Sequence, residues 1–290
     1  MKFLINVGAT KVSAAKVVGT DVGDIKRWET SSFASSKELL DAVLPDAVID
    51  DLRIAAAGPL VGEKITMTNA DLEFSKSEIS NNYNTQNTTL VNDLVAAAWS
   101  VYGDDFPAFD RSLVINVGSG FGGALVLGRP SYRVLGFEPG RISTTALTEI
   151  GQRLFSAGAD YEIRELEDVL GGLGLQRMYS ALCGNSVPGL SSKTVFKHYR
   201  AGNDKAALAI ELFKSVLADA CAELSLLFAP AEKIWLTGGV VKFNYSDVVD
   251  TLFFEKYQKR KYKELRSEKP RIALIPFDEP EIVGLTKILE

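Results

Sequence analysis

The chain has 290 residues, enough for two domains rather than one core. Hydrophobic residues make up 46% and charged residues 24%, the balance of an ordinary soluble globular protein. A net charge of −5 argues against nucleic-acid or anionic-membrane partners, since neither attracts a net anion. Two cysteines, Cys183 and Cys221, are too far apart for a metal knuckle and read as reduced thiols of a cytoplasmic protein. The single histidine, His198, excludes a His-rich metal site.

The apolar run in "MKFLINVGATK" is too short for a secretory signal and reads as a strand. Residues 12–18 give a second strand, "GTDVG" a hairpin turn, and "IKRWETSSF" a third strand. "SSKELLDAVL" is a helix with a serine N-cap. "LRIAAAG" is a strand ended by Gly58-Pro59, and "TTLVND" a strand reaching Asn92-Asp93. "LVAAAWSVYG" is a helix stopped at Gly103.

"SLVINVGSGFGGALVLGRPSYRVL" then starts the three-strand meander again, and Ile5-Asn6-Val7-Gly8 recurs as Ile115-Asn116-Val117-Gly118. A helix-rich segment (144–228), a strand "KIWLTGG", more helix and a last strand "RIALIPF" follow. The order is that of an α/β protein with an internal duplication. The charges in "KAALAIELFKSVLADACAELSLLF" make it a core helix rather than a membrane span.

Both copies of the repeat end in a glycine turn. Glycines at a strand end let backbone N–H groups approach an anion closely, and several together make a phosphate nest. A dinucleotide fingerprint needs a helix directly after its glycines, and a P-loop needs G-K-[ST]. Here a short strand follows each turn, which predicts two phosphate hairpins facing each other across a cleft. A third turn, Thr237-Gly238-Gly239, ends a strand and suits close packing against a nucleotide base or ribose.

These segments, in order, resemble the bacterial glucokinase family of the sugar kinase, Hsp70 and actin superfamily. "AAAGPLVGEKITMTNADLEFS" is similar to its sugar-site M-T-N segment, "LVNDLVAAAWS" to I-N-D-F-x-A, and "VGSGFGGA" to G-x-G-T-G-L-G. "GFEPGR" resembles G-E-G-G-H, "LEDVLGGLGL" resembles E-x-x-L-S-G-x-G-L, and "FDEPEIVGL" the closing N-P-G-x-x-G. The likeness covers nearly the whole length.

The resemblance implies a duplicated actin-like ATPase (ribonuclease H-like) fold of two domains with a central cleft. Residues 1–103 with 279–290 are expected to form the smaller domain and 104–278 the larger. The implied activity moves the γ-phosphoryl of ATP, with Mg²⁺, to the 6-hydroxyl of glucose or a related sugar. Asp93, ending a strand and opening a helix, is the expected general base. Asn69, Asn92, Glu138, Arg141 and Glu167 are expected on the sugar. The nucleotide is expected at Asn6, Gly8, Thr10, Lys11, Gly118, Ser119, Gly120, Gly122, Thr237, Gly238 and Gly239. Family members are commonly dimers, so a homodimer is admitted.

Three departures bear on this. The first hairpin reads Asn6-Val7-Gly8-Ala9-Thr10-Lys11 against the family's D-x-G-G-T-N, so a carboxylate near the magnesium water shell is lost. Lys11 is expected to offset that loss by pairing with a phosphate. Arg141 stands where the family has a sugar-binding histidine, and Pro139 stiffens a turn the family leaves as glycine. An active hexose kinase, a kinase of a different and perhaps anionic sugar, and a non-catalytic sugar or nucleotide sensor all stay open. The basic run from Lys256 to Arg266 reads as a solvated helix face rather than a nucleic-acid site.

Overall fold

The computed structural model describes residues 1–67, 70–103, 109–128, 132–143, 145–184, 187, 189–228, 231–259 and 271–288. The chain divides into two compact units: Met1–Ala108 with Val134–Gly136 and Pro276–Glu290, and Phe109–Arg133 with Phe137–Ile275.

The first unit begins with β1 (Lys2–Val7), β2 (Lys11–Val18), β3 (Asp21–Val22) and β4 (Lys26–Glu29). Next come α1 (Ser36–Val43), β5 (Ile49–Ala56), β6 (Leu60–Val61), β7 (Lys64–Thr66), β8 (Glu73–Ser75), α2 (Lys76–Asn82), β9 (Thr85–Asn92) and α3 (Asp93–Trp99). Its main sheet runs β3-β2-β1-β5-β9, with β4 also paired to β2. β1, β5 and β9 are parallel, so their carboxyl ends lie on one edge of the sheet.

Alternation along β1 sends side chains to two faces. Ile5 and Val7 pack with Leu39 and Leu40 of α1 on one face. Leu4 packs with Ala96 of α3 and with Ile282 and Leu285 on the other. The last two belong to α11 (Pro280–Lys287), the helix that closes this unit. Ser35 caps α1 by accepting from Glu38 N, as its sequence predicts.

The second unit repeats the plan with β10 (Arg111–Val117) and β11 (Phe121–Leu127), followed by β12 (Arg133–Phe137), of which only the two end residues count with this unit. α4 (Thr145–Ser156), α5 (Gly171–Cys183), α6 (Ser192–Arg200) and α7 (Asp204–Leu227) follow. β13 (Lys233–Thr237), α8 (Gly239–Phe243), α9 (Tyr245–Val248), α10 (Thr251–Gln258) and β14 (Arg271–Leu274) complete it. The sheet order is β12-β11-β10-β13-β14, with β10, β13 and β14 parallel. α7 is buried against this core, and its one buried cation, Lys214, is held 2.7 Å from Asp250.

Several local expectations are corrected. The third strand is only Lys26–Glu29, because Thr30–Ser32 turns into a 3-10 helix. α3 ends at Trp99, before Gly103. Gly239 begins a helix rather than ending a strand. A small antiparallel sheet, β6-β7-β8, carries little sequence signal: Ile65 and Phe74 are the only buried apolar residues on its short strands, while Lys64 pairs with Glu73 outside. Of the basic run, Lys256 lies on α10, and positions 260–266 fall outside the described residues.

Candidate functional site

The repeated Ile-Asn-Val-Gly falls at the same place in each sheet. Asn6 pairs with Ser13 across the hairpin and with Ala55 on the parallel side; Asn116 pairs with Gly122 and Thr237 in the same way. Each copy therefore delivers its glycine turn at the carboxyl end of parallel strands, the usual place for ligands in open α/β sheets.

The two turns are held through their carbonyls. Gly8 O accepts from Thr30 Oγ1 at 2.8 Å, and Thr10 O accepts from Thr30 N at 3.1 Å. In the second turn, Gly118 O accepts from Gly172 N at 2.8 Å and Ser119 O from Leu173 N at 3.1 Å, both at the start of α5. A trans peptide points its C=O and the next N–H in opposite directions. Anchoring these carbonyls turns the N–H groups of Ala9, Ser119 and Gly120 away from their anchors, which is how an anion nest is built.

Gly171 permits the second anchoring: at φ +89°, any β-carbon there would lie 2.8 Å from Gly120 backbone atoms. Gly122 lies one residue inside β11 rather than in the loop. Gly238, at φ +94°, packs so tightly that a β-carbon would meet Asn116 Oδ1 at 2.4 Å. Thr237 is buried beside it. Beyond Gly239 stands the exposed ring of Phe243, with Lys193 Nζ 5.7 Å from its centroid, a flat cationic-aromatic surface that sequence reasoning missed.

In the first unit, Asn92 rather than Asp93 caps α3. Its Oδ1 accepts from Leu94 N at 2.9 Å and Val95 N at 3.2 Å, while its Nδ2 donates to Gly58 O at 2.9 Å. Asn92 thus locks the Gly58-Pro59 turn to the helix, and Asp93 takes the first helical position with its carboxylate at the strand end. Asn6 is buried, and its Oδ1 has no hydrogen-bond partner.

Lys11 does not project as a lone cation, as the sequence suggested. Its Nζ sits 2.7 Å from Glu279 Oε1, which also accepts from Arg27 Nε at 2.9 Å, and Ser13 Oγ donates to Glu279 Oε2 at 3.1 Å. Burial alone would raise the Glu279 carboxyl, but bonds from Lys11, Arg27 and Ser13 hold it below its ordinary value. Glu281, one residue past Pro280, is pushed up to about 7 by burial and by the charges of Asp93 and Glu279, against its own backbone hydrogen bond and Lys11. Acidic residues flanking a proline are a helix-start signal, but their partners cannot be read from the sequence.

In the second unit the expected sugar residues form one cluster. Glu167 Oε2 accepts from Phe121 N at 3.1 Å, and its Oε1 lies 3.8 Å from Arg141 Nη2. Arg141 also pairs with Glu165, a partner that sequence reasoning did not name. Glu138 begins the 3-10 turn Pro139–Arg141; its carboxyl is raised by partial burial and Glu167, with Arg141 opposing. The remaining candidate, Asn69, lies outside the described residues.

Comparison with known proteins fits this geometry. The family profile for glucokinase matches residues 4–290. A glucokinase of Nitrobacter hamburgensis is 24% identical over 99% of this chain and 97% of its own length. One of Brucella melitensis is 26% identical over 73% of this chain and 68% of its own. Among solved structures, a glucokinase from an Antarctic psychrotroph has TM-score 0.74 at 19% identity, covering 99% of this chain and 98% of that one. A ROK family glucokinase from Streptomyces griseus, in complex with glucose and AMPPNP, has TM-score 0.70 at 18% identity, covering 98% and 97%. The fold is the duplicated actin-like one that the resemblance implied.

Proposed function

The chain belongs to the glucokinase family, and from that premise we propose that it transfers the γ-phosphoryl of ATP to the 6-hydroxyl of glucose or a related hexose, with Asp93 as general base. The observation that carries this is the placement of Asp93. Asn92 caps α3, and Asp93 follows it at the end of β9, its Oδ1 accepting from Leu94 N at 3.0 Å, which fixes the carboxylate at the strand end. A carboxylate fixed at a strand end suits accepting a hydroxyl proton as the oxygen attacks phosphorus.

The other roles follow residue by residue. The Ser119 and Gly120 amides would bind phosphate oxygens, as would Ala9 N–H in the first hairpin. Gly238 and Gly239, with the Phe243 ring, would take the nucleoside. Glu138 and Glu167 would accept from sugar hydroxyls, with Arg141 fixing Glu167. Asn92 positions the turn and the base.

Mg²⁺ fits the residues present. Among the described residues no cluster of three His, Cys, Asp or Glu side chains could hold a metal by itself, and Mg²⁺ bound with a nucleotide takes much of its coordination from phosphates and water. The unpartnered Asn6 Oδ1 is an acceptor suited to a water of the ion's shell. Bound there, the ion would neutralise phosphate charge.

The two alternatives are not favoured. Arg141 is neutralised by Glu165 and Glu167, which removes the reason for an anionic sugar. The lost Asp at position 6 and the added methyl of Ala9, the reasons for a sensor, stand beside the intact Asp93 and second hairpin. We place the protein in the cytoplasm at the entry of glucose into glycolysis, with a homodimer as its proposed assembly. Among the described residues no helix is long and apolar enough to cross a membrane.

The test is a coupled ADP-release assay across a hexose panel. Glucose turnover should fall about 10²-fold or more in Asp93→Asn, with sugar binding retained. Nucleotide binding without turnover on any hexose would end this reading.

A further inference from the structure

Three contacts set α3 and α11 side by side and parallel. Gly284 lies against Ala96, where a β-carbon would be 1.6 Å from the Ala96 carbonyl oxygen. One turn towards the carboxyl ends, Lys287 Nζ donates to Ser100 O at 2.9 Å and Tyr102 O at 2.7 Å. One turn towards the amino ends, three residues before Gly284 and Ala96, stand Glu281 and Asp93. Helices this close at their middles bring the side chains of their first turns together.

We propose that Glu281 is a positioning residue for Asp93, pairing with it across the α3–α11 contact so that the two carboxyl groups hold one proton between them and act as a single base. This rests on the reading of Asp93 as the base. Two carboxylates held side by side do not both ionise readily; one keeps the proton and the other the charge.

The surroundings assign the proton to Glu281. The charged groups facing it are Asp93 from α3, Glu279 from the start of α11 and Lys11 from β2. Arg27 of β4 reaches Glu279. Both of these cations bond Glu279, so it holds their charge and stays ionised. Asn6 and Ser13 contribute no charge, and at the far end Arg53 and Lys287 bond helix and loop carbonyls. Glu281 is left between two anions, and its rise to about 7 agrees with that arrangement. In the family pattern quoted above, positions 6, 279 and 281 read Asp, Asn and Gly. Here the carboxylate has left position 6 and two have arrived on α11.

The step balances without a co-reactant. The sugar O–H bond breaks and its proton goes to Asp93, leaving both carboxyl groups protonated. The oxygen keeps the electron pair and bonds phosphorus, while the bond from the γ-phosphorus to the leaving oxygen of ADP breaks. One proton returns to water when product leaves. When Glu281 is itself ionised, Asp93 beside it is the stronger base, so the rate rises with pH.

The experiment is a pH series of kcat and kcat/KM on the full chain, with carbon-13 NMR of the labelled glutamate carboxyl groups. Wild type should show a severalfold rise in kcat/KM between pH 6 and 8.5, and one Glu resonance titrating near the same pH. Glu281→Gln should lose both the rise and the resonance, and Glu281→Asp should restore the rise. In Asp93→Asn the Glu281 resonance should titrate at lower pH, because a neighbouring charge is gone.

If Asp93→Asn is inactive but Glu281 titrates unchanged, the pairing is overturned and the base survives. Should Asp93→Asn stay active while the titration moves, the base reading fails and the pairing stands. A pH step that persists in Glu281→Gln overturns the proposal whatever the activity.

Discussion

Gly284 and Ala96 touch backbone to backbone: a β-carbon on Gly284 would lie 1.6 Å from the Ala96 carbonyl oxygen and 3.0 Å from Ser100 N. No rotamer change relieves a clash with main chain, so only separation of α3 and α11 can. Gly284→Ala should cost about 2–4 kcal/mol, the upper range for overpacking. Urea denaturation should show the lower midpoint, and kcat should fall because Asp93 opens α3. An unchanged midpoint would mean the helices are not in this contact.

The second hairpin can be loosened without touching a ligand. Gly171→Ala adds a β-carbon 2.8 Å from Gly120 and strains a φ of +89°. We expect KM for ATP to rise about tenfold or more, with hexose affinity less affected. Gly184→Ala is the control: its φ is +75° with nothing within 4 Å of the added carbon. It should lose about 1 kcal/mol of stability with no change in KM for ATP.

The two α11 carboxyl groups should pull stability in opposite directions with pH. Glu279 is lowered in the folded state, so its contribution is present above the unfolded value and lost as pH falls through the folded one. Glu281 is raised to about 7, so the folded chain keeps a proton that the unfolded chain has released. Stability therefore declines as pH rises from the ordinary glutamate range to about 7, by up to ~3 kcal/mol. Thermal melts from pH 4 to 9 should show Glu281→Gln flattening the upper decline. Glu279→Gln should lower Tm at neutral pH, since Lys11 and Arg27 lose their shared anion.

Glu167 joins the two expected ligand loops of the second unit, accepting from Phe121 N and facing Arg141. A β-carbon on Gly120 or Gly140 would meet its Oε2 at 2.7 Å or 2.9 Å. Glu167→Gln keeps the shape and removes the charge, so KM should rise for ATP as well as for hexose. A change confined to hexose would reduce Glu167 to a sugar ligand alone.

What the sequence by itself determined was local. The recurrence of Ile-Asn-Val-Gly before a glycine turn fixed the duplication, because strand alternation and glycine turns are properties of consecutive residues. It likewise marked Asp93 at a strand-to-helix junction. Tertiary structure decided what these residues touch. Lys11 reads as a cation for phosphate, and only the fold shows that Glu279, 268 positions later, pairs with it. Arg141 reads as a sugar-site residue, and only the fold shows that Glu165 and Glu167 pair with it. The packing of α11 on α3 has no trace in either segment, since it depends on Gly284 letting two backbones meet. Charge pairing acts through space, and separation along the chain does not encode it.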